Sequence, residues 1–265
     1  MDDCYRIIGY LLIILAKKNL SLSTLNDGYK EIKLNQEEIQ FHPYPPFIPE
    51  TTKRLILGSA PPSRFCSPNK DKLKDKDIDY YYGSYSRGYN LLWDLLFHIF
   101  EPESLSELKN IRNLQIPRDE RTCTQQKFFQ NFLQRYYLGI ADILYQFIRR
   151  DQSSADSNIR PLKFLNLTEY LYHSAELQTI FCTSHYKVFI WLKQYLHTQD
   201  INLLKDAEDF YFLLPAKNNQ SLPSRKISVK ILPSPSPIGR LRFPDHKSFF
   251  DNLLKLYTEL FKENV

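Results

Sequence analysis

The run KRLILGSA at Lys53 to Ala60, closed by Pro61 and Pro62, constrains this chain more than any other feature. It is too short and too apolar for a surface helix, and the prolines that stop it have no N–H to continue a ladder. It reads as a strand buried on both faces, which is the mark of a parallel sheet. Parallel strands need crossover connections, so helices must alternate with strands along the chain. Apolar residues at 91, 92, 95, 96, 99 and 100 have helical spacing, and a second helical stretch runs from Gln126 to Tyr137 and stops at Gly139. Strands are expected at Gly139 to Leu144, Gln178 to Thr183, Asp209 to Leu214 and Ile227 to Leu232. Ser184 is placed to cap a helix running to His197, and the last helix spans His246 to Phe261. The chain is therefore read as α/β: three layers, α/β/α, around a central, mostly parallel sheet of four to five strands.

Residues 1–40 are set apart as an N-terminal helical extension, and 41–265 form the main domain. Tyr5 to Ala16 is an apolar run of twelve interrupted by Arg6, whereas a bilayer span needs about 20 apolar residues. Asp2 and Asp3 precede it where a secretory signal would carry positive charge. It reads as a helix docked on the body of the protein, with membrane association as the alternative. The proline-rich lead-in His42 to Pro49 fixes an extended path. Residues 63–88 make a long loop, in which Lys70 to Asp79 reads as solvated because its acids nearly cancel its lysines.

At 43% hydrophobic residues and 25% charged, 265 residues can bury a sizeable core, which excludes disorder for the bulk of the chain. A net charge of +5 permits a polyanionic partner without demanding one. The four cysteines lie far apart with no C-x-x-C, which argues against a disulfide scaffold or zinc site and for reduced thiols in the cytoplasm. There is no phosphate-binding G-x-x-x-x-G-K-[ST], no G-x-G-x-x-G, no G-x-S-x-G and no H-E-x-x-H. P-loop hydrolysis, dinucleotide-dependent oxidation, α/β-hydrolase chemistry and zinc proteolysis are thereby disfavoured. No cofactor and no metal are expected.

Three segments fall where an α/β sheet builds its site, beyond the carboxyl ends of the strands. The first is Gly58-Ser59-Ala60-Pro61-Pro62. The second is Asn90-Leu91-Leu92-Trp93, preceded by Tyr80 to Gly83. The third is Leu232 to Pro237, a rigid Pro-Ser loop followed by Arg240 and Arg242, as a phosphate-contacting surface would want.

In order and spacing these segments resemble the uracil-DNA glycosylase superfamily, nearest to its hypoxanthine- and mismatch-specific branches. GSAPP stands for that family's first motif, Tyr81-Tyr82-Gly83 with Asn90 to Trp93 for its second, and LPSPSP for its last. Gly139 to Asp142 fit a mid-chain strand, and Ser153 to Ile159 fit the small polar segment after it. The resemblance covers roughly residues 41–260. Mismatch-specific members carry a catalytic Asn where this chain has Ala60. The hypoxanthine branch uses the Asn before the Trp, which here is Asn90. Leu232 replaces the histidine that opens the last motif in the classical enzymes.

The resemblance implies a monofunctional DNA glycosylase that flips a deaminated base, of uracil or hypoxanthine type, out of DNA. It would hydrolyse the N-glycosidic bond and leave an abasic site for base excision repair. Asn90 and Asp142 are the implied catalytic pair, holding and polarising a water against C1′. Gly58, Ser59, Ala60 and Pro61 would bind the base, with backbone N–H groups of Ser59, Ala60 and Ser63 stabilising charge on it. One of Tyr81, Tyr82 or Phe65 would stack on it. Ser234, Ser236, Ile238, Arg240 and Arg242 would press on the DNA backbone and fill the gap in the stack. The partner is DNA with a damaged or mismatched base, the protein a monomer, without membrane attachment, cytoplasmic and in a prokaryote associated with the nucleoid. The alternative is a glycosylase-fold protein that binds nucleic acid or a protein partner without cutting. A weaker third option is an unrelated α/β enzyme acting on a free nucleoside.

Overall fold

The apolar run is strand β2 (Arg54–Gly58), and alternation along it feeds two separate cores. Leu55 and Leu57 join one apolar cluster and Ile56 the other, all fully buried. The computed structural model describes residues 38–68, 70–85, 88–150, 156–206, 209–216, 224–236 and 245–262. The chain divides into two units, Met1–Gln36 and Glu37–Val265. The first, with the expected helix at Tyr5 to Ala16, lies outside the described residues. So do Ile238, Arg240 and Arg242.

The central sheet has the order β3-β2-β6-β9-β8-β7. Here β3 is Leu138–Asp142, β6 is Thr179–Cys182, β7 is Leu203–Asp206, β8 is Asp209–Leu214 and β9 is Arg225–Ile231. The first four strands in that order run parallel. β8 and β7 extend the sheet antiparallel as an edge hairpin. The expected class and layering hold, with six strands where four to five were expected. The extra strand is β7, LLKD, whose residues are mostly exposed, so it carries no apolar alternation to read.

One face of this sheet is covered by α1 (Leu92–Phe100), α2 (Leu105–Arg112), α3 (Arg118–Arg135) and α6 (His246–Lys262). Trp93, Phe97, Phe129, Phe132, Tyr257 and Phe261 fill the space between. The rings of Trp93 and Phe129 lie 4.1 Å apart and those of Phe97 and Phe132 4.3 Å, so this core is largely aromatic. The other face takes α4 (Leu167–His173) and α5 (Ile190–Thr198) through Leu171, Trp191, Leu192 and Leu196.

A second, three-stranded antiparallel sheet was not foreseen: β1 (Glu38–Phe41), β4 (Leu144–Arg149) and β5 (Ile159–Phe164), in the order β1-β4-β5. β4 follows β3 after the single residue Ile143, so the apolar signal of two strands merges into one in the sequence. The ladder of β1 begins at Glu38, ahead of residue 41.

The long loop before α1 is also better ordered than its charge pattern suggests. Asp77 has a fully buried side chain and receives two hydrogen bonds from Arg64, Nε at 2.7 Å and Nη2 at 2.8 Å. It also accepts the N–H groups of Lys74 and Tyr85. Lys70 bonds to Asp79, which accepts the Tyr44 hydroxyl as well. Lys70, Asp77 and Asp79 are thus tied into the domain, while Asp71, Lys72, Lys74, Asp75 and Lys76 are exposed to solvent as the charge pattern suggests. An unpaired buried charge is the expected consequence of breaking the Arg64–Asp77 pair. Asp77→Ala should destabilise the domain by about 3–5 kcal/mol in urea unfolding; an unchanged midpoint would show that the pair holds nothing.

Candidate functional site

The carboxyl ends of β2, β3 and β6 meet where the sequence placed its first motif. Gly58 is paired with Asp142 across the β2–β3 ladder. A methyl group on Gly58 would overlap both Asp142 Oδ1 and the Tyr82 hydroxyl, so only glycine lets the two polar groups come together there. Tyr82 reaches this position from a tight turn. Ile78 N–H donates to the Gly83 carbonyl at 2.9 Å, Gly83 N–H donates to that of Tyr80 at 3.0 Å, and a Cβ on Gly83 would strike Ile78. Tyr82 itself has φ of 54°, in the left-handed region that a bulky residue seldom occupies. Such strain concentrates at functional sites.

Polar contacts radiate from Asp142. His42 Nε2 lies 2.9 Å from Asp142 Oδ2, with both side chains almost fully buried. The imidazole is fixed on its other nitrogen by the main chain of Tyr44 and stacks on Tyr81 at 5.4 Å. The Tyr82 hydroxyl pairs with Thr183 Oγ1 at 2.9 Å. Burial, and then the charge of Asp142, push the Tyr82 phenol well above its ordinary value, so it stays protonated. Ser59 Oγ donates to Asp156 Oδ1 at 2.9 Å. Asp156 is held above the usual carboxylate range, chiefly by burial and then by repulsion from Asp142. Its hydrogen bond with Ser59 and the charges of Arg149 and Lys187 act in the opposite direction.

The rest of the first motif borders this cluster. Ser59, Ala60 and Pro61 are half-buried. The Pro61 carbonyl accepts from Arg149 Nη2 at 2.8 Å. Among the described residues the N–H groups of Ser59, Ala60 and Ser63 make no hydrogen bond, which leaves them available as donors. Phe65 sits at 1% exposure inside the aromatic core, as does Tyr81 at 2%. Of the three stacking candidates, Tyr82 alone is half-buried rather than sealed. Cys66 is no nucleophile at neutral pH, because burial pushes its thiol up to about 11. Among the described residues no group of three or more His, Cys, Asp or Glu could hold a metal ion.

Asn90 stands at the start of α1, where its Oδ1 accepts the Leu92 N–H at 3.0 Å. Its side chain therefore bonds the first N–H of the helix from ahead of the N-cap, Leu91, and its amide NH2 has no partner among the described residues. Next to it, Leu91 N–H donates to the Pro235 carbonyl at 3.0 Å, which joins the second and last motifs. Tyr257 holds the last motif from below through the Pro233 carbonyl at 2.8 Å. Ser234 is exposed and Ser236 half-buried, while Leu232 is fully buried in the core and presents nothing to a ligand. Trp93 is sealed in the core and donates to the Tyr81 carbonyl. No hydrogen bond joins Asn90 to Asp142.

Sequence reasoning missed His42 beside Asp142, Thr183 as a partner of Tyr82, and Asp156 as the partner of Ser59. It also misassigned Ser184. That residue makes no cap hydrogen bond, and a π-turn at His185–Phe189 precedes α5. Such turns recur at functional sites, and this one opens directly off β6.

No helix among the described residues is long and apolar enough to cross a membrane. No protein-family model matches the chain, and no curated protein matches it. Among solved structures it is similar to a solution NMR structure from Methanosarcina acetivorans, of a protein provisionally designated a uracil DNA glycosylase. The two share 20% sequence identity with a TM-score of 0.45, over 84% of this chain and 99% of that one.

The raised Asp156 makes a thermodynamic prediction. Its folded form binds a proton more readily than its unfolded form, so its contribution is present at low pH and lost as pH rises through the folded value. Above the folded value the carboxylate is a cost that Asp156→Asn removes. The variant should gain in melting temperature over the wild type as pH rises through that value and lose the advantage toward pH 4. A variant less stable on both sides of that value would contradict the assignment.

Proposed function

We propose that this chain is a monofunctional DNA glycosylase that releases a deaminated base, of uracil or hypoxanthine type, from DNA. The observation that carries the reading is the Asp142 carboxylate at the carboxyl end of the central strands, gripped on one oxygen by His42 and facing the Gly58–Pro61 loop with the other. Hydrolysis of an N-glycosidic bond needs a group that polarises water and donors that stabilise the departing base. Asp142 supplies the first, and the free N–H groups of Ser59, Ala60 and Ser63 supply the second.

The remaining parts fit the same task. Inside a duplex the bond is out of reach, so the nucleotide must leave the stack, at a cost of a few kcal/mol that mispaired bases reduce. Tyr82 offers the only stacking face near Asp142 among the three aromatic candidates that is not sealed in the core. The Pro233–Ser236 loop, braced by Leu91 and Tyr257, is a rigid ledge for the DNA backbone. Asn90, already bonded to the helix through its oxygen, has its NH2 free to read a base edge or hold the water. With Leu232 buried, the neutralising side chain of the classical enzymes has no counterpart at that position, which places the burden on backbone donors and neighbouring acids. In the cell the product would be an abasic site for base excision repair.

The test is strand cleavage at abasic sites on labelled oligonucleotides carrying uracil, hypoxanthine, xanthine or a G·T mismatch, single- and double-stranded. Wild type should release at least one base. Asp142→Asn should lower single-turnover release by about 10²–10⁴-fold, the usual weight of a positioned base, and Asn90→Ala should lower it as well. Salt-sensitive DNA binding with no release from any substrate would instead support a non-catalytic binder.

A further inference from the structure

Two carboxylates share this site, and their surroundings differ in kind. Asp142 is bonded to an imidazole that can carry positive charge, with the Tyr82 hydroxyl close to its other oxygen. Asp156 has a neutral hydroxyl, Ser59 Oγ at 2.9 Å, as its side-chain partner. Both acids border the loop assigned to the base. Asp156 is tied to it by a side-chain bond to Ser59, whereas Asp142 meets it only at the Gly58 backbone and is held from the far side by His42. Asp156 is also half-buried, not sealed, which leaves it within reach of a bound ligand. A carboxylate gripped by an imidazole and an acid held by a neutral hydroxyl are placed to divide the two proton transfers between them.

We propose that Asp156 is the proton donor to the leaving base, while Asp142, oriented by His42, accepts the proton of the attacking water. The inference rests on the glycosylase reading above. In the step, water adds to C1′ through oxygen and its proton passes to an Asp142 oxygen. The C1′–N bond breaks with its electron pair going to the base, and the Asp156 proton moves to a ring nitrogen of that base. The base departs neutral, the sugar keeps the hydroxyl, and both acids return to their starting forms by exchange with solvent. A deaminated purine gains most from such a donor, because N7 is an acceptor that survives in the flipped base. Uracil can leave as an anion held by backbone N–H groups alone. The groups acting on Asp156 are Asp142, which with burial favours its protonated form, and Ser59, Arg149 and Lys187, which favour the carboxylate.

Asparagine at 156 keeps a hydrogen bond to Ser59 and has no acidic proton, so it separates chemistry from architecture. In single-turnover assays on hypoxanthine-containing duplex, Asp156→Asn should lose about 10²-fold or more in release. Its affinity for the same duplex should be unchanged. Wild type should fail on 7-deazahypoxanthine, which lacks the acceptor. Release of hypoxanthine should fall as pH rises through the Asp156 value. Ser59→Ala, which removes a bond favouring the carboxylate, should carry that alkaline limb to higher pH. The proposal is overturned if Asp156→Asn releases hypoxanthine as fast as wild type, if 7-deazahypoxanthine is released as readily as hypoxanthine, or if the limb stays fixed in Ser59→Ala. Wild type active on uracil alone would overturn this assignment and leave the glycosylase reading standing, whereas wild type inert on every substrate would remove both.

Discussion

At the end of β2 there is room for a backbone and nothing more. Gly58 sits beneath Asp142 Oδ1 and the Tyr82 hydroxyl, each of which would collide with any side chain there. Around this absence of a Cβ the site is arranged. The parallel pairing of β2 with β3 delivers Asp142, and the pairing of β2 with β6 delivers Thr183 to the other side. The left-handed Tyr82, folded in by the Ile78–Gly83 turn, closes the space from above. A carboxylate packed this tightly cannot reorient freely, and His42 fixes it further. Preorganisation of that kind is what lets a charged group act on a transition state without rearrangement.

The ordered loop before α1 makes this possible. Left to itself, a stretch of lysines, aspartates and tyrosines would stay in water. The Arg64–Asp77 pair is worthwhile because Asp77 also collects two backbone N–H groups, so its buried charge is fully hydrogen-bonded. With the loop tied down, Tyr80 and Tyr81 enter the aromatic core against Trp93 and Phe129, and Tyr82 is carried to the site. Three consecutive tyrosines thus do two jobs: two anchor the loop and the third reaches Thr183 and Gly58 at the strand ends.

Much of this was legible because it is local. KRLILGSA, the stripe of α1 and the stripe of α6 each state their structure through periodicity, and glycine and proline mark where the strand ends. Asp142 and Gly58 could be picked out as polar or small residues at strand ends. What escaped notice is non-local or masked by context. His42 meets Asp142 across a hundred positions of sequence, and a single histidine carries no spacing to interpret. β4 vanished into the apolar signal of β3. Asn90 directly precedes the stripe, where a cap would be sought, but the helix starts one residue later: Leu91 is the N-cap and Asn90 Oδ1 bonds the Leu92 N–H from outside it. Ser184 offered the same signal and the chain made a π-turn instead.

The central claim is that DNA enters over the carboxyl ends of β2, β3 and β6 with a nucleotide turned out toward Asp142. The most direct measurement is a crystal structure of Asp142→Asn bound to duplex carrying a 2′-fluorinated deoxyuridine or deoxyinosine, whose glycosidic bond resists hydrolysis. The account predicts an extrahelical nucleotide with C1′ facing residue 142, its base against Ser59 to Pro61 and Tyr82, and the DNA backbone on the Pro233–Ser236 ledge. A duplex bound elsewhere on the surface, or bound here with every base stacked, would contradict it.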